Sequence, residues 1–135
     1  MRTAKLTDIA AVAVGAALGT GLRLAIEAIM PHTQGGVPVS TLVVNVLGSF
    51  ILGALVARLW PVAPSWLRAG LGAGVLGSFT TFSAVAVASI SLVSTGEWMP
   101  AALYLAATLV LALTAAWAGL RLGRLRARTR PEVDR

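Results

Sequence analysis

The 135-residue chain contains no cysteine. That excludes a disulfide, a thiol nucleophile and any Cys-based metal site. Histidine occurs once, as His32 beside Pro31 at an expected helix end; there a solvated loop side chain is a better reading than a ligand. Acidic residues number five, and Asp8, Glu27, Glu97, Glu132 and Asp134 all fall at the ends of apolar runs or in the C-terminal tail. With no carboxylate pair inside a run, general acid–base or triad chemistry has nothing to build on. No phosphate-binding glycine loop or His/Asp metal spacing occurs. The chain reads as no enzyme. Charged residues make up only 12% of it, against roughly a quarter in an ordinary soluble domain.

Apolar residues fill the space. They are 57% of the sequence and fall in four runs, each near the roughly 20 residues that cross a bilayer. The spans are expected at Asp8–Met30, Ser40–Leu59, Trp66–Ser94 and Pro100–Leu122. The domain reading is a four-helix transmembrane unit over residues 1–122 and a basic cytoplasmic tail over 123–135, solvated and disordered by composition. No signal-peptide cleavage pattern precedes the first run, which is long enough to remain a span. Asp8 is placed to cap the first helix. Trp60 and Trp66 flank a Pro-rich turn and mark an interface belt, and Pro100 suits the first turn of the last helix.

The formal charge is +6, but its placement argues against nucleic acid. Arginines cluster from Arg121 to Arg130, directly after the last span, where anionic lipid headgroups attract them. Arg2, Lys5, Arg58 and Arg68 fall on the same side of a four-span topology, and the opposite loops carry no Lys or Arg. The positive-inside rule then puts both termini in the cytoplasm and the chain in the cell membrane as a multi-pass protein.

Within the spans the polar residues are few. Gly15 and Gly19 share a face that lets another backbone approach, and Arg23 continues it about 21 Å past the helix start at 1.5 Å per residue. An intramembrane arginine is a functional candidate, unless it snorkels or pairs with Glu27 at i+4. Thr41, Asn45 and Ser49 form one polar stripe, with Gly48 beside it and Gly53 extending it. The Asn45 amide needs acceptors, so it is either a helix–helix clasp or a donor to an anion. Tyr104 and Thr108 form a second hydroxyl stripe, although such hydroxyls often bond back to their own helix.

The third span has Gly77-Ser78-Phe79-Thr80-Thr81-Phe82-Ser83 at its centre. Either small residues pack a continuous helix against a neighbour, or the helix opens and its freed carbonyls form an ion site. On residue chemistry alone the continuous helix is slightly favoured. The absence of an intramembrane acid leaves no proton relay. Hydroxyls, an amide and the positive rims of aromatic rings suit an anion, so a passive anion path is the best physical reading.

Three motifs then carry a resemblance across essentially all four spans. They are Gly15-Ala16-Ala17-Leu18-Gly19 leading to Arg23, Thr41-Leu42-Val43-Val44-Asn45 with Gly48-Ser49-Phe50 and Gly53, and Gly77 to Ser83. In this order the chain resembles the Fluc (CrcB) family of bacterial fluoride channels. The resemblance implies an all-α integral membrane fold of four transmembrane helices, the third broken mid-span, assembled as an antiparallel dimer with two pores. It implies a fluoride-specific channel that passively exports cytoplasmic fluoride and so lowers its toxicity. Backbone carbonyls of Gly77 and Thr80 would hold a structural, untransported Na+ at the dimer centre. Asn45 and the edge of Phe82 would meet fluoride, Thr41, Tyr104 and Thr108 would extend the path, and Arg23 would face the vestibule.

The chain departs from the family pattern at three places. Val85 stands where a second phenylalanine is usual, Ala86 where a serine is common and Ala88 where a glutamate is common. A homodimer would lack the second ring in both pores, and an oppositely oriented relative would supply it. Two other readings stand beside the channel: a non-conducting partner subunit of a heteromeric channel, and a small multidrug-type transporter, which needs the buried carboxylate this chain lacks.

Overall fold

The computed structural model describes residues 5–30 and 36–128, with side chains to Leu125. His32, the first residues of the basic lead and the tail beyond Arg128 lie outside the described residues. All described elements are helical. Helix α1 spans Leu6–Ile29 and α2 spans Val39–Arg58. The third span starts as α3, Ser65–Ala69, continues as a π-helical segment, Gly70–Leu76, and ends its first half as α4, Gly77–Phe79. Its second half is α5, Phe82–Ser94. Helix α6 spans Trp98–Arg128. Four helices are long and apolar enough to cross a membrane, namely Leu6–Ile29, Val39–Arg58, Ser65–Ser94 taken together, and Trp98–Leu125.

Two expectations need correcting. Lys5, not Asp8, occupies the N-cap of α1, and no side chain caps it. Asp8 sits in the first turn, where its carboxylate still meets the positive helix end, and Ser65 Oγ donates to Asp8 Oδ1 at 3.1 Å. That bond ties the starts of the first and third spans. Second, α6 runs six residues beyond Leu122, so residues 123–128 are helix rather than irregular tail. The helix continues because Leu, Ala and Arg are all good helix formers. Trp117 supports the turn before, with the Arg121 guanidinium 4.6 Å from its ring centroid.

Glycine decides the packing. A Cβ on Gly15 would collide with the Gly70 carbonyl, and one on Gly19 with the Val75 carbonyl. Along the other pair, Gly53 abuts the Ala116 carbonyl and Gly119 the Phe50 carbonyl. Helix α1 thus packs backbone to backbone on the first half of the third span, and α2 does the same on α6. Lipid offers no hydrophobic drive for such pairing, so close dispersion contact must supply it. Residue numbers rise together along both seams, so each pair is parallel. The broken third span joins the two, its first half against α1 and α5 against α6.

The interruption is local. Thr80 (φ −81°, ψ 152°) and Thr81 (φ −148°, ψ 114°) are extended between α4 and α5. The continuous helix slightly favoured by residue chemistry does not form there.

Candidate functional site

The site grows from the two extended threonines. An extended backbone leaves the helical ladder, and its polar groups need new partners at membrane depth. Asn45 on α2 supplies them. Thr81 N–H donates to Asn45 Oδ1 at 2.8 Å, and Asn45 Nδ2 donates to the Thr81 carbonyl at 3.0 Å. Thr81 then restarts the helix. Its hydroxyl accepts from Ala84 N–H at 3.2 Å and lies 3.1 Å from Ser83 Oγ. That is N-capping by threonine. On the other side Thr80 remains attached to α4, its N–H and its hydroxyl both donating to the Leu76 carbonyl, at 3.0 and 2.9 Å.

These bonds release two carbonyls. A continuous helix would give Gly77 O the Thr81 N–H and Thr80 O the Ala84 N–H. The first has gone to Asn45 and the second to the Thr81 hydroxyl. Gly77 is exposed on the single chain. Among the described residues no cluster of three His, Cys, Asp or Glu stands together, so a cation here would be held by backbone oxygen. Freed carbonyls are hard donors of the kind that suit an alkali or alkaline-earth ion.

A groove of ≈ 190 Å³ opens beside the break, lined by Asn45, Ser49, Thr80, Thr81, Phe82, Val85, Thr108, Leu109 and Ala112. No ionisable side chain lines it. Phe82 is 68% exposed, its ring standing at the groove's open edge. Val85 is fully buried, so the position that the resemblance gives to a second ring holds a packed aliphatic residue.

Not every expected residue gathers here. Asn45, Thr80, Phe82 and Thr108 share the groove. Thr41 and Tyr104 are buried nearer the starts of α2 and α6. The Tyr104 hydroxyl is buried and completes no hydrogen bond. Thr108 donates to the Tyr104 carbonyl at 2.8 Å, the local back-bond that intramembrane hydroxyls favour. Arg23 lies apart on α1, half-buried, its Nε 3.8 Å from Glu27 Oε1. Sequence reasoning gave no role to two residues. One is Thr81, whose backbone and hydroxyl organise the break; a threonine three residues ahead of a helical N–H is the signal that was there to read. The other is the fully buried Ser40, whose hydroxyl has no partner.

A four-span helical membrane protein with a clamped break beside a neutral polar groove is the class these features define. Residues 10–120 match the family described as CrcB-like protein, Camphor Resistance (CrcB). The chain is 40% identical over 114 residues to a fluoride-specific ion channel FluC of Idiomarina loihiensis, covering 82% of this chain and 88% of the relative. It is 43% identical over 114 residues to the FluC of Thermus thermophilus, covering 83% and 91%. A Shewanella amazonensis FluC is 36% identical over 120 residues, covering 87% and 96%. The chain belongs to the CrcB family, a family of channels and not of enzymes.

Proposed function

We propose that the chain is a fluoride channel subunit, working passively to release cytoplasmic fluoride. One observation carries this most: a groove at membrane depth that is lined by an amide, hydroxyls and an aromatic ring, and by no ionisable side chain. A small, strongly hydrated anion needs fixed donors to replace its water, and the amide N–H is one that costs no charge burial. The relatives' names supply the anion. Because HF enters from acid surroundings and ionises in the cytoplasm, a passive pore lets the trapped anion leave.

The pore is completed by a second subunit in antiparallel orientation, giving two pores. Supporting this, the groove is open and Phe82 and Gly77 are exposed on the single chain. Bare lipid would leave the polar break poorly covered. Na+ at the dimer centre would take the released Gly77 and Thr80 carbonyls from each subunit, with a structural role only. Asn45 and the Phe82 edge meet the anion, Thr41, Tyr104 and Thr108 extend the path, and Arg23 faces the vestibule.

A second reading concerns composition. Val85 lines the groove where the resemblance places a ring, which favours a partner subunit working with an oppositely oriented relative. Fluoride efflux from liposomes holding this chain alone, then with such a relative, tests both. Fluoride should leave far faster than chloride and without a proton gradient. Equal chloride flux, or strict proton coupling, would overturn the channel reading.

A further inference from the structure

Asn45 and Thr81 exchange two hydrogen bonds across 36 residues of sequence. The exchange fixes the amide orientation. Thr81 N–H needs an acceptor and Thr81 O a donor, so Oδ1 and Nδ2 have one arrangement only. A freely turning amide would offer either end to an ion. Here the carbonyl end is occupied, and the group left for the groove is the second N–H of Nδ2. The same bonds act on the backbone, because the Thr81 N–H that Asn45 holds is the one Gly77 O would receive in a continuous helix.

We propose that Asn45 is the positioning residue of the broken span. Its oxygen keeps the Thr81 N–H away from the Gly77 carbonyl, and the same pair of bonds sets its nitrogen as a fixed donor toward an anion in the groove. The proposal rests on the fluoride and Na+ reading above for its two ligands. It makes the cation site and the anion donor depend on one side chain. It also explains how an amide, with a donor end and an acceptor end, serves anions alone.

The test uses full-length protein in liposomes, with a 13C label on the Gly77 carbonyl. Its infrared band is measured in Na+ and in N-methylglucamine, beside fluoride efflux. Asn45→Ala removes both bonds. Asn45→Asp keeps an oxygen for the Thr81 N–H, in either protonation state, but has no N–H to offer. In Asn45→Ala the Gly77 band should move to the lower frequency of a hydrogen-bonded helical carbonyl and lose its Na+ response. Asn45→Asp should keep the wild-type band and its Na+ response while fluoride efflux is lost. An alanine variant with the wild-type band and Na+ response overturns the proposal. So does an aspartate variant whose band leaves the wild-type position, and this second comparison decides alone where the alanine variant does not fold. Failure of the cation reading looks different: the wild-type band would then ignore Na+, while its difference from Asn45→Ala still tests the clamp.

Discussion

Gly48 of α2 lies against the Thr80 side chain, so close that a Cβ on residue 48 would run into the Thr80 Cγ2 methyl. The Phe79 ring closes the same space from the side, 3.1 Å from where that Cβ would sit. The break therefore rests on a floor that only glycine leaves flat. Gly48→Ala should destabilise the protein by about 1–3 kcal/mol, the usual range for overpacking, and should slow fluoride efflux. Thr80→Ser alone should be mild, because it keeps the hydroxyl bonded to Leu76 O. Combining the two should recover part of the loss, since the colliding methyl is gone. Thermal unfolding in detergent checks this, and strictly additive losses would separate Gly48 from the break.

Gly77 gives the opposite case. Within one chain a Cβ there would meet only Gly72 O, at 3.5 Å, which is ordinary contact. Gly77→Leu should leave the fold of the single chain intact, with a helical signal and unfolding temperature close to wild type. What it should abolish is pairing, because the side chain would stand on the exposed surface that the proposed second subunit and its ion would cover. Crosslinking and light scattering in detergent read this directly. A leucine variant that dimerises and conducts like wild type would remove the ion from this position.

Val85 is fully buried, yet it borders a groove of ≈ 190 Å³. Val85→Phe adds a ring that the groove has volume to receive, at an overpacking cost of about 1–3 kcal/mol. If the missing ring limits a homodimer, efflux from this variant alone should exceed wild type despite its lower stability. Unchanged efflux in a folded Val85→Phe dimer would show that the single ring of Phe82 suffices.

The spans were legible because composition and length report directly on lipid, and three of the four expected spans match the helices to within two residues. The last overran its expected end because arginine ends a membrane span without ending a helix. At the break the sequence held the right residues but not the decision. Glycine, serine and threonine serve a packed helix and an open one equally, and what chooses is Asn45, a partner 36 residues away. The stripe of Thr41, Asn45 and Ser49 put that amide on the correct face. It did not say that the amide's oxygen would be spent on backbone. The π-helical stretch at Gly70–Leu76 had no signal beyond its glycines, of which Gly70 and Gly74 lie against α1.

The last prediction is that this chain inserts one way and pairs with an oppositely oriented relative. Apart from Arg23, every Lys and Arg falls on one side of the four-span order: Arg2, Lys5, Arg58, Arg68 and the arginines from Arg121 onward. Translocating a positive segment opposes the charge bias that sets membrane topology. An antiparallel homodimer would require half of the chains to carry the whole basic end of α6 across. Single cysteines can report orientation without background, because the chain has none of its own. Val37, exposed just before α2, and Leu125, exposed near the end of α6, lie at opposite ends of the bundle. In intact cells an impermeant thiol reagent should label Val37→Cys and spare Leu125→Cys until the membrane is opened. Comparable labelling of both sites from outside would show dual insertion and make the homodimer the natural assembly. One-sided labelling, with efflux appearing only when a relative of reversed charge bias is co-expressed, would establish the heterodimer by two independent measurements.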